Sequence, residues 1–302
     1  MALAMQPAGP RYLKGAVFGV AAASIWAGWS AMTRLGVTTS LDAWDIAALR
    51  FGIAGLLLSP VLVRRGLAWG RLGWRGLVVV IAGGGAPYAL VAAEGLRFAP
   101  AWHQSALNPG CVPLFVALIA AIVLRETHSG ARRFGLALIL GGALIIVSWH
   151  GVGWSPARGV GDGLSTAAAF LWACFTVAML HARLDPLHAA ALVSTGSLVI
   201  YLPIYLALEG TRLAQLPAAE LAIHAIFQGI LVTIVSLLLY ARAVAILGAS
   251  AGAAFSALVP SLSALLAIPL LGEWPNPTDW VAIFLISAGV YLASGGPLPE
   301  TR

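Results

Sequence analysis

The sequence predicts an all-α integral membrane protein in which ten transmembrane helices form two inverted five-helix repeats around a central cavity. Three observations predict this fold: the composition, ten apolar segments of helical length, and a similarity between the two halves. Of the 302 residues, 60% are hydrophobic and 9% are charged, whereas soluble domains average about 45–50% and about 25%. The mean hydropathy is +0.93. This composition argues against a soluble globular enzyme, a disordered chain and a collagen-like chain.

Ten apolar segments are each long enough to cross a bilayer, which requires about 20 predominantly apolar residues in a helix. The segments that join them are short, so we expect no separate soluble domain. The predicted spans are residues 13–33, 43–63, 75–94, 101–124, 133–149, 162–181, 187–208, 221–241, 248–271 and 278–295.

Positive charge is distributed unevenly between alternate joining segments. With the N-terminus placed inside, twelve Lys and Arg residues fall on the cytoplasmic side and four on the opposite side, and Arg50 lies within the second span. Cytoplasmic loops of membrane proteins carry an excess of Lys and Arg. We therefore expect a multi-pass protein of the bacterial inner (plasma) membrane with both termini in the cytoplasm. The same bias accounts for the net charge of +6 without a nucleic-acid partner.

The second half of the chain is similar to the first at an offset of 146–147 residues. Because each half holds an odd number of spans, the second copy must enter the membrane from the other side. We expect residues 1–150 and 151–302 to form the two repeats, in the plan of secondary transporters with inverted repeats. The matching segments are Ala22–Ala27 with Ala168–Ala173, Pro113 with Pro260, Gly142 with Gly289, and Leu124-Arg125-Glu126 with Leu271-Gly272-Glu273.

Each half contains a segment that runs from a proline to a glutamate and is followed by a glycine-rich last span. These segments, Pro113–Glu126 and Pro260–Glu273, together with the two five-span halves, resemble the EamA type of the drug/metabolite transporter superfamily. The resemblance extends over almost the whole chain. Length, span number and an aromatic-rich centre are most similar to the YddG-like bacterial exporters of aromatic amino acids, which implies amino-acid export. We expect Glu126 and Glu273, on opposite sides of the membrane, to cap or gate rather than contact substrate.

Polar and aromatic residues within the spans are the candidate substrate-binding residues, because polar groups in hydrocarbon usually face a cavity or a partner helix. In the first span Trp26 and Ser30 share one helical face, and the sixth span repeats the arrangement with Trp172 and Thr176. A stripe that recurs in both halves suits a shared cavity. Simple packing of aromatic side chains would produce the same pattern.

Further candidates lie in the third, fourth, eighth and ninth spans. The polar residues at 102–108 suit a water-filled path, or else an interfacial cap at a helix start. Three glycines and a proline at residues 83–87 predict a kinked third helix that carries a tyrosine toward the midplane. These candidates are Tyr88, Trp102, His103, Gln104, Asn108, Gln228, Tyr240 and Ser256.

The remaining charged and thiol residues have structural interpretations. Glu94 and Arg97 are spaced for a salt pair, although Glu94 could instead attract an amino group or exchange protons. We expect Arg50 to extend toward the outer surface as an anchor, and Cys111 and Cys174 to pack in apolar surroundings. The sequence holds no hydrolytic, nucleotide-binding or metal-binding motif, so we expect no catalytic residue, no metal and no cofactor.

The absence of a first-helix carboxylate and of Lys or Arg clusters from the span centres indicates the substrate class. The related four-span multidrug carriers bind cations and protons with a carboxylate in the first helix, and this chain has Trp26 there and no acid. No mid-span Lys or Arg cluster suits a phosphorylated solute. We therefore expect alternating-access export of small neutral or zwitterionic metabolites, above all aromatic and other apolar amino acids, with membrane lipids as the other partner. The alternatives are a proton-coupled exporter of drugs or organic cations, and a membrane-embedded lipid-linked transferase.

Overall fold

The computed structural model describes residues 10–123, 129–148, 155–208 and 212–295, and no β-strand occurs among them. Long apolar helices make up almost all of this part of the chain. In order they are α1 Arg11–Thr39, α2 Ala43–Arg65, α3 Trp69–Phe98, α4 Ala101–Ile122, α5 Gly130–Ser148, α6 Pro156–His181, α7 Pro186–Leu208, α8 Ala218–Leu247, α9 Ala251–Leu271 and α10 Pro277–Ala293.

Nine of these helices, α1 to α9, are long and apolar enough to cross a membrane within the described ranges. The helix α10 is apolar but has only 17 residues. All ten occur where the sequence predicts a span, and the all-helical class is confirmed. The tenth span stays a prediction, since 17 residues is the lower limit for crossing the hydrocarbon layer.

Local sequence signals fix where several helices begin. Asp42 and Asp45 form a capping box at the start of α2, in which each side chain accepts a hydrogen bond from the other's backbone N–H. Asn276 and Asp279 do the same for α10. These oxygens satisfy N–H groups that have no partner inside the helix. The joints of α1–α2 and α9–α10 can therefore be short without leaving buried donors unpaired.

Four helices are interrupted along their length. The helix α3 breaks at Gly85, between Trp69–Gly84 and Ala86–Phe98. The helix α4 breaks after Ala101–Leu107 and resumes at Val112. In the second half, α8 is a π-helix over Ile226–Val235 and α9 has a 3₁₀ turn at Phe255–Leu258. Such interruptions often occur at functional sites of helical membrane proteins.

The two halves of the chain pack against each other along most of their helices. The helix α1 contacts α8 and α9, while α6 contacts α3 and α4; in addition, α2 packs on α7 and α5 on α10. The α5–α10 crossing depends on glycine, because a Cβ on Gly289 would come within 2.6 Å of the carbonyl oxygen of Gly135. Leu124–Glu126, which match Leu271–Glu273 in the sequence comparison of the two halves, lie outside the described residues.

The outer surface of the helix bundle carries large apolar side chains. Val63, Ile122 and Phe284 are 84%, 70% and 70% exposed, respectively. Apolar side chains in such numbers on the surface of long helices match a lipid environment rather than water. The chain is thus built as a multi-pass membrane protein.

Candidate functional site

One face of α1 lies at the centre of the bundle and carries the first-span candidates. The indole Nε1 of Trp26 donates to Ser236 Oγ of α8 at 2.9 Å. The Trp26 ring also contacts the ring of Tyr240, with centroids 5.3 Å apart. Both Trp26 and Tyr240 are half-buried. The structure therefore brings together Trp26 from the first half and Tyr240 from the second half.

One turn further along α1, two hydroxyl groups bind glutamine side chains from different helices. Ser30 Oγ donates to Gln104 Oε1 of α4 at 2.7 Å and lies 2.7 Å from Ser105 Oγ. Gln228 Nε2 of α8 donates to Thr33 Oγ1 at 2.9 Å. All of these side chains are buried. A polar layer thus joins α1, α4 and α8, and Gln228 reaches it from the π-helical segment.

The candidates Tyr88, Asn108 and Trp172 form a neighbouring group contributed by α3, α4 and α6. Asn108 Nδ2 donates to the Tyr88 hydroxyl oxygen at 3.1 Å. The Tyr88 and Trp172 ring centroids are 4.8 Å apart. Tyr88 lies just after the break at Gly85, and Asn108 lies at the break in α4. The interruptions of the two helices therefore present these side chains to α6.

His103 belongs to a buried ionic group nearer the end of the bundle that the arginine bias assigns to the outside. His103 Nδ1 is 2.6 Å from Asp162 Oδ1 of α6, and both side chains are at least 95% buried. Arg158 contacts the other ring nitrogen of His103 and lies over the ring of Trp102. Trp102 and His103 are thus both buried within the protein.

A cavity of about 300 Å³ opens beside this ionic group. Its lining combines aromatic rings, one cation and two carboxylates: Pro100, Trp102, Arg158, Glu273, Trp274, Asn276 and Asp279. Glu273 forms an ion pair with Arg34 of α1 at 2.8 Å and accepts from the backbone N–H of Ala101 at 2.9 Å. Glu273 therefore ties together the ends of α1, α4 and α9.

Two candidates are not drawn into this network by hydrogen bonds. Thr176 Oγ1 donates to the carbonyl of Trp172 in its own helix at 2.8 Å. Ser256 Oγ donates to the carbonyl of Ala253, also in its own helix, at 2.7 Å. Both residues are half-buried. Their hydroxyl groups bond locally, whereas Ser30 and Gln104 bond across helices.

Other charged positions can be compared with their predictions. Glu94 and Arg97 form the predicted salt pair at 2.8 Å. Arg50 does not extend to the surface; it is only 8% exposed and lies beside the rings of Trp29 and Phe51. Within the described ranges no group of three or more His, Cys, Asp or Glu side chains could hold a metal ion.

Sequence reasoning missed several residues of this network. Asp162 is the first residue of the predicted sixth span and Arg158 precedes that span, and charged residues at such positions are ordinarily assigned to the interface. The signal available was Asp162 itself, a carboxylate within an apolar segment. Ser105 is a small polar residue next to Gln104, and only the helix packing reveals its bond to Ser30.

Comparison with known proteins identifies the family. The sequence profile of the EamA-like transporter family matches residues 13–148 and again residues 159–295. The chain belongs to the EamA-like transporter family. Membership in this transporter family accounts for the many apolar helices, implies a small-molecule substrate, and argues against the lipid-linked transferase.

Two curated relatives and one solved structure support the membership of this EamA-like transporter. A protein of Brucella anthropi named a riboflavin transporter is 31% identical over 214 residues, covering 68% of this chain and 72% of that protein. A probable terminal-alkyne amino-acid exporter of Streptantibioticus cattleyicolor is 29% identical over 270 residues, covering 83% and 87%. One crystal structure shares the fold with a TM-score of 0.57 and 19% identity, covering 92% of this chain and 95% of that one.

Proposed function

We propose that this EamA-like transporter exports small neutral or zwitterionic metabolites, principally aromatic and other apolar amino acids, from the cytoplasm by alternating access. The observation that carries the proposal is the central group of aromatic, amide and hydroxyl side chains around the inner face of α1. In particular, Trp26 contacts Ser236 and Tyr240, and Ser30 contacts Gln104. Aromatic rings with a few placed polar groups are the usual lining of a small-molecule site.

The substrate-binding residues proposed for this site come from both halves of the chain. Their rings offer faces for stacking, and their amides and hydroxyls offer hydrogen bonds to the polar head of an amino acid. One relative is named as an amino-acid exporter, which agrees with this substrate class. The proposed residues are Trp26, Ser30, Tyr88, Trp102, His103, Gln104, Asn108, Trp172, Thr176, Gln228, Tyr240 and Ser256.

Alternating access is proposed to arise from two inverted repeats, residues 1–150 and 151–302, with ten spans in all. Two features support this arrangement. The contacts of α1 with α8 and α9 match those of α6 with α3 and α4. At the sequence offset of 147, the break at Asn108–Cys111 corresponds to the 3₁₀ turn at Phe255–Leu258. Interrupted helices at corresponding positions point to a midplane site in transporters of this plan.

Membrane orientation and location complete the proposal. With both termini in the cytoplasm, the cavity beside Glu273 and Arg158 opens to the outside. The bacterial inner membrane is the proposed location because the arginine-rich joining segments then lie on the cytoplasmic side.

Proton-coupled export of drugs or organic cations remains the second candidate. The buried His103–Asp162 pair favours it, because a buried carboxylate beside a titratable ring is a common element of proton pathways in membranes. Asp162 also gives α6 a buried carboxylate, whereas the first span has none.

Transport by the purified protein in liposomes tests the proposed function. The vesicles are loaded separately with labelled tryptophan, phenylalanine, threonine, riboflavin or a quaternary amine, and efflux is followed with and without a pH gradient. We expect faster loss of the aromatic amino acids than from protein-free vesicles, independent of the gradient. Efflux of the amine alone, and only with a pH gradient, would establish the second candidate instead.

A further inference from the structure

Four buried polar atoms at the centre of the bundle have no hydrogen-bond partner within the described part of the chain. They are Trp29 Nε1, Arg50 Nε, Gln104 Nε2 and Gln228 Oε1. Three are N–H donors and one is an acceptor. Most buried polar side-chain atoms in proteins are hydrogen-bonded, so a group of unpaired ones needs an explanation.

Each of these four side chains belongs to, or contacts, residues 29–33 of α1. Gln104 bonds to Ser30 and Gln228 bonds to Thr33. Trp29 belongs to the same turn, and the Arg50 guanidinium carbon lies 5.9 Å from the centre of its ring. At 100° per residue, positions 29, 30 and 33 fall within about 100° on the helix surface. The donors and the acceptor therefore belong to side chains arranged on or against the same turn of α1.

Arg50 is the charged side chain among these four, and burying its charge without a partner costs the most free energy. Its side chain is more than nine-tenths buried. No carboxylate of the described residues lies within 4.0 Å of its guanidinium, since Arg50 is absent from the four ion pairs found there. Its neighbours are the rings of Trp29 and Phe51. Aromatic faces compensate a buried cation only in part.

We propose that this group of side chains is the receptor for the charged head of a zwitterionic substrate. Arg50, Trp29 and Gln104 donate hydrogen bonds to the substrate carboxylate, and the Gln228 carbonyl accepts one from its ammonium group. The proposal rests on the proposed function and deepens it, because it makes a carboxylate the required feature of the substrate. The substrate ring then extends toward Trp26, Tyr88 and their aromatic neighbours.

This receptor separates two substrate classes suggested by the relatives. An amino acid carries both a carboxylate and an ammonium group, whereas riboflavin carries neither. A buried donor set that must bind an anion discriminates strongly against ligands lacking it, because the donors then stay unpaired. The carboxylate requirement thus predicts rejection of riboflavin even though its ring is flat and aromatic.

Binding of tryptophan and tryptophanamide to the purified protein in detergent tests the role of Arg50. The two ligands share the indole ring and the ammonium group and differ in the carboxylate. We expect tryptophan to bind roughly tenfold or more tightly than the amide, the size expected for a hydrogen bond to a charged group. In Arg50→Gln the difference should disappear, and in Arg50→Lys it should persist in reduced form.

The matched control is Arg64→Gln, which removes the same charge from an exposed position at the end of the same helix and should leave the difference intact. Thermal unfolding of each variant checks that it is folded. Should Arg50→Gln not fold, Gln228→Leu offers an independent test. This variant should lose the preference for tryptophan over indole-3-propionate, which lacks the ammonium group.

The outcomes are distinguishable from a failure of the proposed function. If the wild type binds tryptophan and its amide equally, or if Arg50→Gln keeps the preference, the receptor is wrong while amino-acid export stands. If Gln228→Leu keeps the wild-type preference for tryptophan over indole-3-propionate, Gln228 is not part of the receptor. If the wild type binds neither tryptophan nor its amide, amino-acid export itself is wrong, and the receptor with it.

Discussion

At the scale of single residues, the central aromatic side chains combine a ring contact with a polar bond. Trp26 packs against Tyr240 and donates to Ser236. Tyr88 packs against Trp172 and accepts from Asn108. Each of these side chains therefore combines an aromatic ring with a placed polar group, as in the usual lining of a small-molecule site. This arrangement suits a site that must bind and release substrate.

Replacing Trp26 tests this interpretation. Trp26→Ala removes the ring and the donor. We expect the initial rate of amino-acid efflux to fall at least about tenfold, because truncating a hot-spot aromatic residue costs about 2 kcal/mol or more. Trp26→Phe keeps the ring and should retain more activity than the alanine variant. The measurement is efflux from proteoliposomes, normalised to the amount of protein inserted.

The control for this series is Trp74→Ala. Trp74 lies near the beginning of α3 and is 61% exposed. Efflux by this variant should equal that of the wild type. Unchanged efflux in Trp26→Ala would show that the inner face of α1 does not contact substrate.

Residue periodicity predicts part of this site and misses the rest for a physical reason. Spacing of i and i+4 correctly brings Trp26 and Ser30 to one inward face of α1. The same spacing in α6 marks Thr176, whose hydroxyl instead bonds to its own helix. Short hydroxyl side chains can bond to the carbonyl four residues earlier. Periodicity therefore identifies the face but not which hydroxyls bond across helices.

At the scale of elements, some helix interruptions can be predicted from the local sequence and others cannot. The run Gly83-Gly84-Gly85-Ala86-Pro87 predicts a kink in α3, and the helix breaks at Gly85. The π-helical segment of α8 has no such signal, because its residues Ile226–Val235 include a single glycine and no proline. The segment packs against α1 and α2, and contacts with such distant parts of the chain are not visible in the local sequence.

The crossing of α5 and α10 provides a paired test of helix packing. A Cβ on Gly142 would lie 2.7 Å from Ile286 Cγ1 and 2.8 Å from the carbonyl oxygen of Ala282, whereas one on Gly141 would meet nothing within 4 Å. We expect Gly142→Ala to destabilise the protein by about 1–3 kcal/mol, because the helices must separate. Gly141→Ala should be neutral or stabilising by up to roughly 1 kcal/mol, since alanine favours helix.

Thermal unfolding of the two alanine variants in the same detergent measures this difference. Equal melting temperatures for Gly141→Ala and Gly142→Ala would contradict the close approach of α5 and α10.

At the scale of the whole molecule, the orientation of the bundle in the membrane decides which helix ends face the cytoplasm. Twelve Lys and Arg residues against four favour cytoplasmic termini. Cysteine introduced at Thr39, an exposed position at the end of α1, should react with a membrane-impermeant maleimide added to intact cells. Cysteine at Arg64 should react only after the membrane is permeabilised. Both cysteines are introduced into a variant in which Cys111 and Cys174 are replaced by alanine. The reverse labelling pattern would show that the termini lie outside the cytoplasm.

The ion pair between Glu273 and Arg34 joins several helix ends at one end of the bundle. Glu273 also accepts from the backbone of Ala101, and Arg34 donates to the carbonyl of Leu96, so that the ends of α1, α3, α4 and α9 are joined by one carboxylate and one guanidinium. In alternating access this end must separate to release substrate. Glu273→Gln weakens the pair, and we therefore expect it to shift the population toward the outward-open state.

Accessibility of the central site from outside measures this shift. In the background lacking Cys111 and Cys174, a cysteine at Ser105, which is buried beside Ser30, should react severalfold faster with the impermeant maleimide when Glu273 is glutamine. The matched control is Glu94→Gln, which breaks the exposed Glu94–Arg97 pair within α3 and joins no second helix. An equal labelling rate with and without Glu273→Gln would mean that this carboxylate only caps its helix, because a capping role changes local stability without changing access to the centre.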